Sequence, residues 1–198
     1  MMQPSFDTLI QSYIDNNVGI SDNFLSESLA HLLKENLLLH YADNQFVSAG
    51  MGNNKLATHN KSVRSDLIYW LDRKNKNDSE NSFFDMMDKF ILFLNSQCYT
   101  GITGYEFHYA LYEKDSFYKK HIDQFHNNKS RAFSMIMYLN NEWKTEDGGE
   151  LCLHQKNALL LISPTSRKCV FFKSSEIEHE VLVTHQPRLS ITGWLKTN

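Results

Sequence analysis

The size and charge of the chain exclude several classes of protein. Its 198 residues, 41% of them hydrophobic and 22% charged, suffice for one buried core and are few for two. We therefore expect one domain over residues 1–198. A net charge of −3 and a pI near 6.3 leave no basic surface for nucleic acid. No apolar run approaches the roughly 20 residues that cross a bilayer, and no signal peptide is evident, so no membrane partner is expected.

The cysteines predict a reducing environment. Cys98, Cys152 and Cys169 are odd in number and widely spaced, which argues against a disulfide framework. We expect buried, reduced thiols in a cytoplasmic protein.

The first half of the chain, to about residue 100, has helical patterns. Side chains in Ser21–Asn23 could cap a helix, because leucines follow them at helical spacing, at positions 25, 29, 32, 33, 37 and 38. A second apolar stripe predicts a helix over Ser82–Cys98. The polar run 73–81 between them has no periodicity and is predicted to be a solvated loop.

From about residue 104 to 196 the pattern changes to short runs of β-branched and aromatic residues. Eight strands are predicted, at 105–112, 117–122, 132–139, 150–154, 158–162, 169–173, 178–183 and 188–195. Many short strands in succession favour a mainly β fold, a double-stranded β-helix or jelly roll, with the N-terminal helices buttressing one sheet.

One set of residues indicates a metal centre. His121 and Asp123 are two residues apart, so in a strand they would point the same way, and His179 could reach them from another strand. Two imidazoles and one carboxylate are the ligand set of non-haem Fe(II) oxygenases. Arg188, nine residues beyond His179, could hold a dicarboxylic co-substrate through paired hydrogen bonds.

Segments around these residues carry a resemblance to a known family. They are 63–70, 112–123, 131–140, 148–151, 177–181 and 188–194. From about Gly50 onward, the chain resembles the Fe(II)/2-oxoglutarate-dependent prolyl hydroxylases, in the oxygen-sensing branch of hypoxia-inducible-factor hydroxylase-like enzymes and their bacterial relatives.

The resemblance implies a role for each matching residue. Fe(II) would be bound by His121, Asp123 and His179. The distal carboxylate of 2-oxoglutarate would pair with Arg188 and accept a hydrogen bond from Tyr138. The co-substrate pocket would also be lined by Tyr112 and Thr192, the substrate site by Tyr118, Arg131 and Trp194, and a closing loop would contain Arg64 and Asp66. O2 would be the second co-substrate, and ascorbate a further cofactor.

Several functions remain open from the sequence. The leading hypothesis is hydroxylation of a prolyl residue in a protein, such as the translation component elongation factor Tu, by a monomer or weak oligomer. The same chemistry could act on a free amino acid or small metabolite. A nucleobase substrate is disfavoured, because Trp194 stands where that branch places a second arginine. A non-enzymatic Fe(II)-binding module and a zinc hydrolase are the remaining alternatives.

Overall fold

Helices and strands are both present, with the strands in the majority from residue 104 onward. The structure, a computed structural model of the protein, describes residues 4–50, 62–124, 129–156 and 158–198. The helices are α1 (Pro4–Asn16), α2 (Glu27–Ala42) and α3 (Asp78–Gln97). Within these ranges, no helix is long and apolar enough to cross a membrane.

The strands form two antiparallel sheets. In chain order they are β1 (Gly19–Ser21), β2 (Val47–Ser48), β3 (Leu67–Trp70), β4 (Gly104–Tyr112), β5 (Tyr118–His121), β6 (Arg131–Tyr138), β7 (Leu151–Gln155), β8 (Ala158–Ile162), β9 (Cys169–Lys173), β10 (Glu178–Val181) and β11 (Arg188–Lys196). The major sheet has the order β1-β9-β6-β11-β4-β3-β2, and the minor sheet has the order β5-β10-β7-β8. The predicted mainly β, double-sheet fold with N-terminal helices is confirmed.

The major sheet is covered on both faces, and alternation along its strands decides which side chain faces which layer. On β4, Tyr109 and Leu111 belong to the core that the sheet shares with the three helices. Ala110 and Tyr112 belong to a second core, which includes residues of the minor sheet. The helices thus support one face, while the other face is available for a site between the sheets.

The predicted start of the first long helix is wrong. Ser21 ends β1, where it is paired with Cys169 of β9. The N-cap of α2 is Ser26, whose side chain accepts a hydrogen bond of 3.2 Å from the backbone N–H of Leu29. Residues 21–23 are polar because they form the end of β1 and the turn that follows it. Ser, Asp and Asn are common in turns as well as at helix caps.

The prediction of a solvated loop over 73–81 is also wrong in part. Arg73–Asn75 form a 3₁₀-helix, and the segment from residue 78 is the first turn of α3, capped by the side chain of Asn77. Glu80 is fully buried and accepts a hydrogen bond of 2.9 Å from Asn36 of α2. A polar residue in this turn therefore joins two helices instead of meeting solvent.

The cysteines follow the prediction only in part. All three are free thiols, and Cys152 and Cys169 are buried as expected. Cys98 is exposed, because it lies at the C-cap of α3.

Gly193, in the centre of β11, should be essential to the packing of the major sheet. A Cβ at this position would lie 2.1 Å from Cδ1 of Phe107 and 2.2 Å from the backbone oxygen of Glu106. Because such overlap forces the neighbouring strand to move, we expect Gly193→Ala to lower the free energy of unfolding by about 1–3 kcal/mol or more. Urea denaturation measures this. The control is Gly104→Ala in β4, where an added Cβ meets nothing within 4 Å; equal losses in the two variants would contradict the packing argument.

Candidate active site

Two imidazoles and one carboxylate, the His–Asp–His triad of His121, Asp123 and His179, lie where the minor sheet faces the major sheet. His121 ends β5, and its Cα partner across the strands is His179 of β10. Nε2 of His121 lies 3.4 Å from Oδ1 of Asp123, and Nε2 of His179 lies 3.5 Å from Oδ2. All three ligand atoms lie within 4.8 Å of one another, so one metal ion can contact them together. Asp123 lies in a bend beyond the end of β5, so strand alternation is not what orients it.

Backbone carbonyl groups orient both imidazoles. Nδ1 of His121 lies 2.8 Å from the carbonyl oxygen of Lys119, and Nδ1 of His179 lies 3.1 Å from that of Ile177. Because a carbonyl only accepts, Nδ1 carries the hydrogen and Nε2 keeps its lone pair for a metal. Burial lowers the pKa of His179 to about 4, which keeps this ring neutral at physiological pH.

The carboxylate of the triad is buried and fixed by a hydroxyl group. Ser134 donates a hydrogen bond of 2.7 Å to Oδ2 of Asp123, and the hydroxyl of Ser174 lies 2.9 Å from that of Ser134. Burial alone would raise the pKa of Asp123, but the neighbouring imidazoles His179 and His121 and the bond from Ser134 together hold it well below its usual range. The triad therefore supplies one anionic ligand beside its imidazoles.

Aromatic rings fix the planes of the two imidazoles. The ring of Tyr118 stacks on that of His121, with centroids 3.6 Å apart and planes 15° apart. The ring of Phe172 meets that of His179 edge-on at 4.9 Å. Side chains that are locked in this way hold ligand atoms in position before a metal binds. The donor set and its rigidity fit the Fe(II) site predicted from the sequence.

Arg188 is almost completely buried, only 1% exposed, at the first residue of β11. Its Nε donates a hydrogen bond of 2.8 Å to the carbonyl oxygen of Gly149. Its guanidinium carbon lies 5.0 Å from the ring centroids of both Tyr112 and Tyr138. The charge is thus held in a fixed direction by one hydrogen bond and two aromatic faces.

The Gly148-Gly149 motif gives the backbone the shape that Arg188 requires. Gly149 has a φ of +68°, and a Cβ there would lie 2.9 Å from Oγ1 of Thr184 and 3.2 Å from Cδ of Arg188. Gly148 has a φ of +64°, and its Cβ would lie 2.5 Å from the carbonyl oxygen of Val183. Only glycine combines this backbone conformation with such close neighbours.

Three buried polar atoms on neighbouring positions of β11 and β6 have no hydrogen-bond partner among the described residues. They are Nη2 of Arg188, the hydroxyl of Tyr138 and Oγ of Ser190. Burial raises the pKa of Tyr138 to about 12, so its hydroxyl keeps the proton that it can donate. Because buried polar groups normally have partners, this cluster fits an anionic acceptor such as the distal carboxylate of 2-oxoglutarate.

Ser190 was not predicted as a site residue. It is two positions beyond Arg188 on β11, and it is the Cα partner of Tyr138 on β6. Strand alternation from Arg188 would have placed it on the same face, but a single serine in a strand carries no chemical signal of its own.

All the predicted site residues except Tyr138 line one cavity of about 220 Å³. Tyr138 does not line the cavity itself but lies next to Arg188, which does. The predicted residues in the lining are Arg64, Asp66, Tyr112, Tyr118, His121, Asp123, Arg131, His179, Arg188, Thr192 and Trp194. The cavity therefore brings the triad, the buried arginine and the predicted substrate residues together.

The residues predicted for a closing loop form a buried ion pair at the cavity. Nε and Nη2 of Arg64 donate hydrogen bonds of 2.8 and 2.7 Å to the two carboxylate oxygens of Asp66, which is 1% exposed. The guanidinium of Arg64 also lies 4.2 Å from the ring centroid of Tyr118. The pair thus connects the segment before β3 to the aromatic ring that packs on His121. The adjoining residues 51–61 lie outside the described part of the chain.

Arg131 and Trp194 form a second cation–aromatic pair. The guanidinium carbon of Arg131 lies 3.4 Å from the ring centroid of Trp194, and its Nη2 lies 2.8 Å from Oε1 of Glu106. Glu106 also pairs with Nζ of Lys196 at 3.2 Å, so this carboxylate is shared between two cations, and the indole ring of Trp194 covers one of them.

His108 is a further cavity residue that was not predicted. It is buried and packs beside the rings of Trp70 and Trp194, with centroids 4.9 and 5.6 Å away. Nδ1 of His108 and Nε1 of Trp194 have no hydrogen-bond partner in the described ranges. Burial, with the positive charges of Arg64 and Arg131, lowers the pKa of His108 to about 3. A neutral imidazole and an indole N–H therefore lie together at this end of the cavity.

Comparisons with known proteins agree with this geometry. Residues 107–196 match the 2OG-Fe(II) oxygenase superfamily. A hypoxia-inducible factor prolyl hydroxylase of Caenorhabditis elegans is 28% identical over 193 residues, which are 91% of this chain and 26% of the worm protein. The chain thus spans about a quarter of the length of this curated relative.

Solved structures show the same fold. A Pseudomonas putida prolyl-4-hydroxylase has a TM-score of 0.87 and 26% identity, over 98% of this chain and 99% of that one. A Trichoplax adhaerens prolyl hydroxylase, solved with a hypoxia-inducible factor peptide, has a TM-score of 0.86 and 24% identity, over 96% of this chain and 88% of that one. These matches confirm the resemblance to Fe(II)/2-oxoglutarate-dependent prolyl hydroxylases, and the match to the 2OG-Fe(II) oxygenase superfamily covers residues 107–196.

Proposed function

We propose that the protein is an Fe(II)/2-oxoglutarate-dependent dioxygenase that hydroxylates a prolyl residue of a protein substrate. The observation that carries the proposal is one cavity in which the His–Asp–His triad and the buried Arg188 meet. In this reaction one oxygen atom of O2 enters a substrate C–H bond, and the other enters succinate as 2-oxoglutarate loses CO2.

The chain's own residues would bind and orient the reactants. His121, Asp123 and His179 would hold Fe(II) on one side and leave the remaining coordination positions open. When bound, Fe(II) supplies the redox chemistry that activates O2, and the protein supplies positioning and a closed environment. The carbonyl groups on both Nδ1 atoms would keep the imidazoles in the ligand tautomer.

The end of the cavity at Arg188 would bind 2-oxoglutarate. Nη2 of Arg188 and the hydroxyls of Tyr138 and Ser190 are three donors without partners in the described structure, and a carboxylate can accept from all of them. Tyr112 and Thr192 line the cavity nearby. Fixed donors around a buried anion give both affinity and a single orientation.

The opposite end would bind the substrate. Trp70, Trp194 and Tyr118 offer aromatic surfaces, which suit the apolar ring of proline. His108 and Trp194 add neutral hydrogen-bonding atoms that match the C=O and N–H groups of a polypeptide. Arg131 packs against the ring of Trp194 and pairs with Glu106, so its charge is directed to groups of the protein itself.

The proposal also names the protein substrate. We infer a cytoplasmic protein bearing the target proline, with elongation factor Tu as the first candidate, and a monomeric or weakly oligomeric enzyme that uses ascorbate. The support is the resemblance to bacterial members of the branch, together with the likeness to a bacterial prolyl-4-hydroxylase.

Removal of one triad ligand should abolish activity without loss of the fold. We expect His121→Ala to form no succinate from 2-oxoglutarate, because two ligands no longer hold Fe(II) in the required geometry. The measurement is succinate formation, with circular dichroism as the check on folding. The control is His31→Ala, which changes an exposed histidine of α2; turnover near that of the unchanged protein in the His121 variant would reject the triad as the metal site.

Removal of the buried guanidinium should act mainly on 2-oxoglutarate binding. We expect Arg188→Ala to weaken binding by about 2–5 kcal/mol, because a buried carboxylate would lose its charge partner. Tyr138→Phe removes one neutral donor and should weaken binding only about 3- to 10-fold. Isothermal titration calorimetry with Mn(II) in place of Fe(II) measures both. The control is Arg73→Ala, at an exposed ion pair with Asp85; unchanged affinity in both site variants would contradict the assigned subsite.

The class of substrate can be tested separately from the chemistry. We expect succinate formation to be stimulated by a proline-containing protein, elongation factor Tu first, and not by free proline. Mass spectrometry should find one added oxygen atom on a proline of that protein. Stimulation by free proline alone would overturn the protein-substrate part and leave the oxygenase assignment intact. If elongation factor Tu gains no oxygen, comparing proteomes of the host with and without this gene identifies the true partner.

A further inference from the structure

A second group of side chains of the types that can bind a metal ion lies on the outer face of the minor sheet. Cys152 and His154 are two residues apart on β7, and Glu180 on β10 is the Cα partner of Cys152. The residues that alternate with them, including His179, belong to the inner face, toward the cavity. The cluster of Cys152, His154 and Glu180, which we call the outer cluster, is therefore separate from the triad.

The donor atoms of the outer cluster already lie at distances that one ion can bridge. Sγ of Cys152 lies 3.9 Å from Nε2 of His154, and Nε2 of His154 lies 2.9 Å from Oε1 of Glu180. All three lie within 4.8 Å of one another. Ligands at about 2.0–2.3 Å from a tetrahedral ion require similar separations, so small side-chain adjustments would complete a site.

We propose that the outer cluster is a zinc site, independent of the proposed oxygenase function. A thiolate, an imidazole and a carboxylate are the ligand types that Zn²⁺ combines in proteins, and three protein ligands leave a fourth position for water. The thiolate is a soft ligand, so a cluster that contains it favours Zn²⁺ over Fe(II) of the kind that the triad would bind. Binding would deprotonate Cys152 and would displace the hydrogen bond between His154 and Glu180.

The surroundings of the outer cluster favour a bound ion over a simple surface ion pair. Cys152 is buried, and the side chains of His154 and Glu180 are only 25% and 28% exposed. On the adjoining strand β8, the Cα partners of Cys152 and His154 are Leu161 and Leu159. These two leucines are themselves 57% and 63% exposed, so the cluster lies at the edge of an apolar surface, and the burial of Cys152 is what limits access of water to the site.

The position of the outer cluster gives a zinc ion a structural role. Two of its ligands are on β7 and the third is on β10, so zinc would connect adjacent strands of the minor sheet. Glu180 directly follows His179, whose side chain lies on the other face. A zinc ion would therefore restrain the strand that carries a ligand of the triad.

Cobalt binding tests the proposal, because Co²⁺ replaces Zn²⁺ and gives a sulfur-to-metal absorption only where a thiolate is a ligand. The triad has no sulfur, so this absorption reports the outer cluster alone. We expect it in the unchanged protein and in His121→Ala, and we expect added Zn²⁺ to remove it. Cys152→Ser should abolish it, and Glu180→Gln should weaken cobalt binding by at least about tenfold.

Cys98→Ser is the matched control, since it removes an exposed thiol outside the cluster and should leave the absorption unchanged. If Cys152→Ser does not fold, as judged by circular dichroism, Glu180→Gln and His154→Ala give the same test through the cobalt affinity. Absence of the absorption in the unchanged protein, or its persistence in folded Cys152→Ser, would overturn the proposal. An affinity that neither Glu180→Gln nor His154→Ala changes would also overturn it.

Discussion

The pairing of β5 with β10 is the constraint on which the proposed metal centre depends, because it makes His121 and His179 direct Cα partners. A slip of one residue would turn one imidazole to the outer face of the minor sheet. β10 is held on its other side by β7, and Leu151, Leu153 and Val181 of these strands pack into the core between the sheets. Burial of these apolar side chains therefore fixes the register that places the ligands, and the geometry of the site is a consequence of core packing.

The end of the cavity that contains Arg188 lowers the stability of the ligand-free protein. Three polar atoms are buried there without partners in the described structure, and a buried polar group without a hydrogen bond costs about 1–3 kcal/mol. The fold tolerates this because Arg188 is held by Gly149 and by two aromatic rings. A ligand that satisfies these atoms removes the cost only in the folded state, so co-substrate binding and folding should reinforce each other.

Residues with specific chemistry could be predicted from the sequence, and residues with ordinary chemistry could not. The triad and Arg188 combine uncommon residue types at informative spacing, and strand patterns located the jelly roll. Ser190 and His108 are single polar residues, and only the structure shows that Oγ of Ser190 and Nδ1 of His108 have no partner among the described residues. Strands β1 to β3 were missed because two to four residues are too few to show a periodicity. The predicted helix cap at 21–23 was wrong because the same residue types are common in turns and at the starts of helices.

Strand β11 sets the order of the subsites along the cavity. Its alternate residues Arg188, Ser190, Thr192 and Trp194 share the face toward the minor sheet, and each step of two residues spans about 7 Å. Arg188, proposed for the co-substrate, and Trp194, proposed for the substrate, are therefore roughly 20 Å apart along the backbone of β11, and the triad faces the interval from the other sheet. The intervening residues face the helices, where Gly193 permits the close approach of β4. A substitution on the face toward the minor sheet thus acts on binding at one place in the cavity. A substitution on the face toward the helices, such as at Gly193, changes the spacing of the strands and so affects the whole cavity.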